Sequence, residues 1–353
     1  MPITAADSIT LAAEHTKRQL FQPFRIGQWT KLAFVGLLAG ELGANSCNRG
    51  SLPPSHPGAT PHPGWPGTMG IDPALLAALG ALLVVLIVAA IAVGIIMLYV
   101  GSVMRFVLFD SVLTRECRIR WSWSRRLGAG WRYFVWRLLY IIFTLVAIAA
   151  LIGLPSALAY SKGWFREPQG HLPALILGGI FLCIVFLVFF VVTAVVLVLT
   201  KDFVVPQMAL ENIDTMEGWR RLWAMMQADM GAYAGYVGMK ILLAIVAAIL
   251  IGIGTIILGL IIVIPSIGLG ILAVITGKAA GLTWTAGTIT LAIVVGCMLL
   301  AVFLYLVSLI AVPAIVFFPA YSMYFFAGRY PRLAAVLYPA TPAPQVPAGA
   351  APV

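Results

Sequence analysis

The sequence contains few charged residues, and acidic residues are the scarcest of them. Charged residues make up only 10% of the 353 positions, and 12 Asp and Glu stand against 22 Lys and Arg. A soluble globular domain contains about 25% charged residues, so this composition argues against that class. The hydrophobic content of 62% instead predicts a protein that crosses a membrane.

Cysteine is also scarce, and recognisable catalytic motifs are missing. Cys183 and Cys297 lie inside apolar runs, whereas Cys47 and Cys117 lie in polar segments. That spacing fits neither a disulfide framework nor a zinc site, which favours free thiols. The sequence shows no Ser/His/Asp set, phosphate-binding loop, HExxH or paired-carboxylate motif. We therefore predict no catalytic residue, cofactor or metal, and favour a non-enzymatic role.

Long apolar runs dominate what is present. Leu75–Met104 and Leu138–Ala159 contain no charge, and each is long enough to cross a bilayer. Further spans are predicted at 173–200 and 241–264, and a last one starts near Thr288. Two segments are left open, because residues 32–46 and 267–276 are short and either span or re-enter.

The segment between the two clearest spans sets the predicted orientation. Residues 105–137 contain eight Arg and four Trp, a composition typical of the cytoplasmic membrane surface. With six spans, all but four of the 22 Lys and Arg fall on that side. The prediction is a multi-pass protein of the bacterial inner membrane with both termini in the cytoplasm.

A repeated pattern suggests how the spans are organised. Three segments share the same order of residues: a basic pair, an aromatic residue, a lone Lys or Arg, and then an apolar span. The basic pairs are Lys17-Arg18, Arg125-Arg126 and Arg220-Arg221. Each basic pair lies on a predicted amphipathic surface helix. The fold class is therefore all-α integral membrane, with six transmembrane helices as three hairpins, each preceded by a cytoplasmic amphipathic surface helix. Residues 1–330 form one membrane domain.

Segments rich in Pro and Gly flank this domain or interrupt it. Residues 47–71 are predicted to form an outer loop, and 331–353 a disordered Pro/Ala-rich tail. The loop contains His56 and His62, but no carboxylate or Cys pair accompanies them. A flexible linker is therefore favoured over a metal site.

The three surface helices provide the first set of candidate binding residues. Arg and Trp side chains placed at the membrane surface suit anionic lipid headgroups, a membrane protein partner or a second copy of the chain. Nucleic acid is not predicted, because the basic residues cluster beside apolar spans. The candidates are Arg125, Arg126, Arg132, Arg220, Arg221, Trp123, Trp219 and Trp223.

Ionisable residues at or near the spans form the second set: Glu41, Asp110, Asp202 and Lys240. Glu41 lies either near the outer interface or buried, where it would handle a proton or cation in a transporter or channel. Asp110 and Asp202 are expected to cap helices or to form ion pairs. Their predicted partners are Arg105, Arg137, Lys201 and Lys240.

Small and aromatic residues lead to two further expectations. Gly36 and Gly40 form a GxxxG pattern, which favours close packing of a neighbouring helix. Tyr321 and Tyr324 are expected in an aromatic belt at the membrane interface.

Three short motifs carry a resemblance: Leu20-Phe21-Gln22-Pro23-Phe24 with Trp29-Thr30-Lys31-Leu32, Asp202-Phe203-Val204-Val205-Pro206-Gln207-Met208, and Phe318-Pro319-Ala320-Tyr321-Ser322-Met323-Tyr324-Phe325. Together they resemble uncharacterised bacterial six-span membrane proteins, distantly similar to the membrane domain of some glycerophosphoryl diester phosphodiesterases. No soluble segment is long enough for the catalytic barrel of those enzymes. The resemblance therefore implies a fold and not that activity.

Overall fold

The structure is a computed structural model that describes residues 4–41, 73–164, 168–281 and 285–338. Every regular element in these ranges is helical. The helices are α1 (Asp7–Phe21), α2 (Ile26–Ala39), α3 (Pro73–Leu113), α4 (Ile119–Ser161), α5 (Leu172–Leu199), α6 (Val205–Glu211), α7 (Thr215–Ala228), α8 (Met230–Ala279), α9 (Ala286–Ala327) and α10 (Pro331–Leu337). The predicted loop with His56 and His62, and the tail beyond residue 338, lie outside the described residues.

Five of the described helical segments are long and apolar enough to cross a membrane. They are Leu79–Leu113, Ile119–Ser161, Leu172–Glu211, Met230–Ala279 and Gly287–Ala327. The predicted first span is represented by α2, whose 14 residues extend about 21 Å. That length is less than the ~30 Å of a hydrocarbon core. The six-span hairpin arrangement is therefore not confirmed.

Prolines lie inside the last two spans and do not end them. α8 continues through Pro265 to Ala279, so residues 267–276 are part of one 50-residue helix and do not re-enter separately. α9 likewise continues through Pro313 and Pro319. A proline costs a helix one backbone hydrogen bond, and membrane helices tolerate that loss where neighbouring groups compensate.

The surface helices also differ from the prediction. α1 and α7 are separate helices, but the second basic segment is continuous with its span in α4. α1 does not simply lie on the membrane, since it buries Ser8, His15 and Gln19 against the rest of the protein. The Gln19 amide donates to the Ser111 carbonyl of α3 at 3.0 Å, a hydrogen bond that only a packed helix can make.

Buried residues concentrate in the basic segments and in the second half of α9. The core contains the end of α3, the start of α4, residues 199–209 and residues 311–327, and α1 and α2 pack against it. Tyr321 is fully buried and Tyr324 nearly so, so the prediction of an aromatic belt is wrong for both. The apolar stretches of the spans outside this core expose their side chains, as lipid-facing helices do.

Glycines allow the helices of this core to approach closely. A Cβ on Gly36 would lie 2.6 Å from Ile315 of α9, which confirms the predicted close packing for this glycine, whereas Gly40 ends α2 and makes no such contact. Gly101 of α3 faces the Leu38 carbonyl of α2 in the same way. The tail prediction is wrong at its start, because α10 continues to Leu337 and buries Leu333.

Candidate functional site

A π-helical turn places two charged residues inside the core. Residues Thr200–Val204 form this turn between α5 and α6, and Lys201 and Asp202 within it contact different neighbours. π-turns within α-helices occur frequently at functional sites. Lys201 and Asp202 are adjacent in sequence, and each forms an ion pair with a helix far along the chain.

Lys201 forms an ion pair with Glu41. α2 ends at Gly40, whose φ of 81° is the left-handed conformation that glycine adopts without strain, and Glu41 follows directly. The Glu41 side chain is 7% exposed and that of Lys201 is 17% exposed. Glu41 therefore lies beside a residue of the predicted cytoplasmic segments, so a place near the outer interface conflicts with the predicted orientation. The alternative of a buried glutamate describes it better.

Asp202 pairs with Lys240, as the sequence suggested. Its Oδ2 atom accepts a hydrogen bond from the Lys240 ammonium, and a second from the Tyr236 hydroxyl at 2.9 Å. The Asp202 side chain is only 2% exposed. Since a buried carboxylate without partners is very costly, the ammonium and the hydroxyl are needed to hold its charge.

Arg105 completes this buried charge network, which we define as Glu41, Arg105, Lys201, Asp202 and Lys240. Its guanidinium donates to the Tyr133 hydroxyl at 2.9 Å and to the Ala39 carbonyl at 2.8 Å. Within the network a cavity of about 30 Å³ is lined by Glu41, Arg105, Lys201 and Asp202. That volume corresponds to about one water molecule.

Two polar atoms of the network have no protein partner. Glu41 Oε1 and Arg105 Nε are buried and make no hydrogen bond to any residue that the structure describes. The network is thus a packed structural centre around a small cavity.

Most arginines of the predicted binding surface form internal ion pairs. Arg126 forms a two-pronged pair with Asp110 at 2.8 and 2.7 Å, so Asp110 does not pair with Arg105 or Arg137 as predicted. Arg132 donates to the Asn212 carbonyl at 2.9 Å and to Asp214 at 3.0 Å. These contacts connect the start of α4 to the segment between α6 and α7.

The two arginines of α7 differ in their exposure and in the number of carboxylates with which they pair. Arg221 bridges Glu217 and Glu211 at 2.8 and 2.7 Å. Arg220 pairs with Glu217 at 2.6 Å but is 79% exposed. Hydrogen bonding from Arg221 lowers the pKa of Glu217, and Arg220 lowers it further, so this carboxylate stays charged. Both arginines belong to a charge-balanced helix surface.

Arg125 is the candidate arginine that remains available. It is exposed, and its guanidinium lies over the ring of Trp121, 5.1 Å from the centroid. No carboxylate lies within ion-pair distance of it in the described ranges. Trp121 is itself 54% exposed. Together they form a basic aromatic surface that resembles the predicted binding face.

The predicted tryptophans fall into two groups. Trp223 is exposed and free to contact lipid or a partner. Trp123 and Trp219 are half-buried against the core, and the Trp219 indole donates to the Thr200 hydroxyl at 3.1 Å. Trp219 therefore supports the π-turn instead of facing outward.

Sequence reasoning missed an exposed aromatic group at the turn between α1 and α2. Phe21, Phe24 and Ile26 expose more than half of their surfaces, with Arg25 beside them also exposed. Phe21 and Phe24 both contact the Trp29 ring. The apolar residues around Pro23 were the available signal, although a sequence pattern does not show which side of a turn is buried.

These observations define the class: an α-helical membrane protein with several candidate spans and a charged packed core. A family model described as a family of unknown function, DUF7544, matches residues 3–336. The chain therefore belongs to DUF7544. No curated protein and no solved structure matches the chain, so the resemblance to glycerophosphoryl diester phosphodiesterases stays a prediction.

Proposed function

We propose that this protein is a non-enzymatic inner-membrane protein that binds anionic phospholipid headgroups through the surface carrying Arg125 and Trp121. The observation that carries the proposal is the exposed Arg125 guanidinium, over an exposed indole and without a carboxylate partner in the described residues. Its neighbour Arg126 instead forms a buried ion pair with Asp110. The proposed lipid-binding set is thereby reduced to Arg125, Trp121, Trp223 and, more weakly, Arg220.

The energetics suit an interfacial contact. Each Lys or Arg near an anionic leaflet contributes about 1 kcal/mol of attraction. An exposed indole adds the preference of tryptophan for the headgroup region. The proposal places this surface on the cytoplasmic side, as the arginine-rich composition of residues 105–137 suggests.

The test compares lipid enrichment around the full-length protein. Vesicles containing equal phosphatidylglycerol and phosphatidylcholine are dissolved into polymer-bounded discs, and the lipids that accompany the protein are quantified. Arg125→Gln with Trp121→Ala is expected to lower the enrichment of phosphatidylglycerol, and added salt should lower it in the wild type. The matched control is Lys162→Gln, because Lys162 also lies over an indole, that of Trp164 at 5.9 Å, but at the other end of α4. Equal enrichment in all variants would reject the proposal.

The orientation is tested separately. Single cysteines at positions 125 and 278 are labelled with a membrane-impermeant maleimide in intact cells. The proposal expects labelling at 278 only. Labelling at 125 would place the Arg125 surface outside the cell and would reject the proposed orientation.

A transporter or channel using Glu41 is the second candidate. It is favoured by the unpartnered Oε1 atom of Glu41, which lines a cavity beside Asp202. The small cavity volume and the ion pair with Lys201 favour the first candidate. The test measures solute or ion flux in proteoliposomes. Flux in the wild type that is lost in a folded Glu41→Gln variant would favour the transporter or channel instead.

The six-span arrangement remains part of the proposal only in modified form. α2 is too short to cross unaided, and it packs its buried face on α3 and α9. The proposed arrangement therefore has five crossing helices, with α2 as a short helix packed against them. The resemblance to the membrane domain of phosphodiesterases is consistent with a membrane role and contributes no activity.

A further inference from the structure

A groove lies between α1 and the α8–α9 pair, apart from the buried charge network and from the Arg125 surface. Its volume is about 510 Å³, within the ~300–1,000 Å³ typical of small-molecule sites. Leu243, Val246 and Leu250 of α8 form one wall, and Ile310 and Phe317 of α9 form the other. Both walls belong to candidate spans, so the groove lies where acyl chains surround the protein.

The third wall of the groove is amphipathic. α1 contributes Ala13, Thr16, Lys17 and Phe21. Thr16 and Lys17 are the polar side chains of this lining, as far as the structure describes it. The Thr16 hydroxyl donates to the Ala12 carbonyl at 2.8 Å, so it is already occupied within its own helix. Lys17 is the group that remains for a ligand.

The charge of Lys17 is not compensated within the described part of the chain. Glu14 is the acidic residue nearest to Lys17 in sequence, and it pairs with Arg18, the residue that follows Lys17. Lys17 is exposed, and no carboxylate lies within ion-pair distance in the described ranges. The groove thus has apolar walls within the spans and one free cation at its edge.

We infer that this groove binds one anionic phospholipid, with an acyl chain between α8 and α9 and its phosphate at Lys17. Charge complementarity supports an anionic headgroup, and the apolar walls support a chain that is already dissolved in the surrounding bilayer. A soluble phosphate compound would match Lys17 but would leave the apolar walls uncovered. The inference rests on the proposed function, because it names one defined site for the same class of lipid.

The site differs from the Arg125 surface in a measurable way. Headgroup contacts at an exposed arginine are screened by salt within about a Debye length. A lipid whose chain lies in a groove between two helices keeps its apolar contacts in salt. We therefore expect a single salt-resistant lipid in the groove, and several salt-sensitive lipids at the Arg125 surface.

The experiment uses native mass spectrometry of the full-length protein in detergent. Purified protein is stripped of lipid, incubated with phosphatidylglycerol or phosphatidylcholine, and washed in either low or high salt before counting retained molecules. Wild type should retain one lipid in both washes, with a preference for phosphatidylglycerol over phosphatidylcholine in low salt. In low salt, Lys17→Gln should weaken phosphatidylglycerol retention about fivefold, the effect of losing one cation. Arg18→Gln is the matched control, since Arg18 is the adjacent cation paired with Glu14, and it should retain the lipid.

Filling the groove provides an independent variant. Ala247→Phe and Ala314→Phe each place a ring among the lining residues, and both should abolish retention whatever the headgroup. Thermal unfolding shows whether each of these two variants folds. If one of them does not, the other is used to test the groove. Retention by Lys17→Gln and by a folded groove-filled variant at wild-type levels would overturn the inference. Equal retention of both lipids in low salt, or displacement by glycerol phosphate alone, would also overturn it.

The outcomes separate the inference from the proposed function. Arg125→Gln should lower enrichment in discs but leave the salt-resistant lipid in place. If the discs show no Arg125-dependent enrichment of phosphatidylglycerol but mass spectrometry still finds the single retained lipid, only the Arg125 surface is rejected. If the enrichment is as expected but no single lipid is retained, only the groove site is rejected.

Discussion

The carboxylate of Glu41 is paired with the ammonium of Lys201, 160 positions later in the chain, and both side chains are largely buried. This contact joins the end of α2 to the π-turn at the end of α5. Asp202, the next residue, joins the same turn to α8 through Lys240. Adjacent residues of one turn thus connect three helices that are distant in sequence.

We predict that Glu41→Gln destabilises the protein by about 3–5 kcal/mol, because it leaves the Lys201 ammonium buried without its counter-charge. Thermal or denaturant unfolding in detergent measures the change. Glu116→Gln is the control, since Glu116 pairs with Arg118 on the surface and such pairs contribute about 0–1 kcal/mol.

The double variant Glu41→Gln with Lys201→Met tests the reason for this loss. Replacing both charges removes the uncompensated ammonium and should recover much of the stability. A single variant as stable as wild type, or a double variant no better than the single, would contradict a structural role for this pair.

Arg126 and Arg125 should differ sharply although they are neighbours. Arg126→Gln leaves Asp110 buried and unpaired, and we expect a loss of about 3–5 kcal/mol. Arg125→Gln should change the free energy of unfolding by less than about 0.5 kcal/mol, as surface substitutions usually do. The same unfolding assay applies to both. Similar losses would mean that the assignment of Arg125 to the free surface is wrong.

Stability should fall in mild acid because of His15. Burial lowers the pKa of His15 below 6.5, and the nearby Arg115 charge lowers it further. The Nε2–H group of its neutral ring donates to the Val112 carbonyl, while Nδ1 accepts from the Tyr324 hydroxyl, both at 3.0 Å. In the unfolded chain the ring binds a proton below pH 6.5, whereas in the folded chain it resists one. Stability is therefore full above that pH and falls below it.

The slope attributable to one proton is at most about 1.4 kcal/mol per pH unit. We expect unfolding midpoints of the wild type to drop from pH 7 to pH 5, and His15→Gln to drop less. His171→Gln, at an exposed position before α5, should keep the wild-type slope. An unchanged slope in His15→Gln would assign the acid sensitivity to other groups.

Gly101 should be sensitive to a single methyl group. A Cβ at this position would lie 2.8 Å from the Leu38 carbonyl of α2, so the two helices must separate. We expect Gly101→Ala to cost about 1–3 kcal/mol in unfolding free energy. Gly94→Ala in the same helix meets nothing within 4 Å and should be neutral or slightly stabilising. Equal effects at both positions would contradict the contact between α2 and α3.

Several features could be read from the pattern of residues because their physical cause is local. The uncharged length of Leu75–Met104 predicts a span on hydration cost alone, and α3 includes it. The amphipathic surface helix predicted to carry Lys17-Arg18 is present as α1. The pairing of Asp202 with Lys240 was among the predicted options, since both lie where spans end.

Other features depended on packing and escaped the sequence. The predicted span 241–264 stops before Pro265, because a sequence does not show that neighbouring groups compensate the lost hydrogen bond. Arg126 and Arg125 look equivalent in a basic pair, yet helix rotation turns one toward Asp110 and the other over Trp121. Tyr321 suggested a belt, although it stacks on the Tyr236 ring inside the core.

The sequence by itself determined that this chain is helical, apolar and arginine-rich beside its spans, because transfer of residues from water to lipid depends on composition and length. Only the tertiary structure decided which charges face each other. Whether Glu41 reaches Lys201, or Lys17 stays free beside a groove, depends on the approach of helices whose contacts span most of the chain. No local pattern encodes those distances.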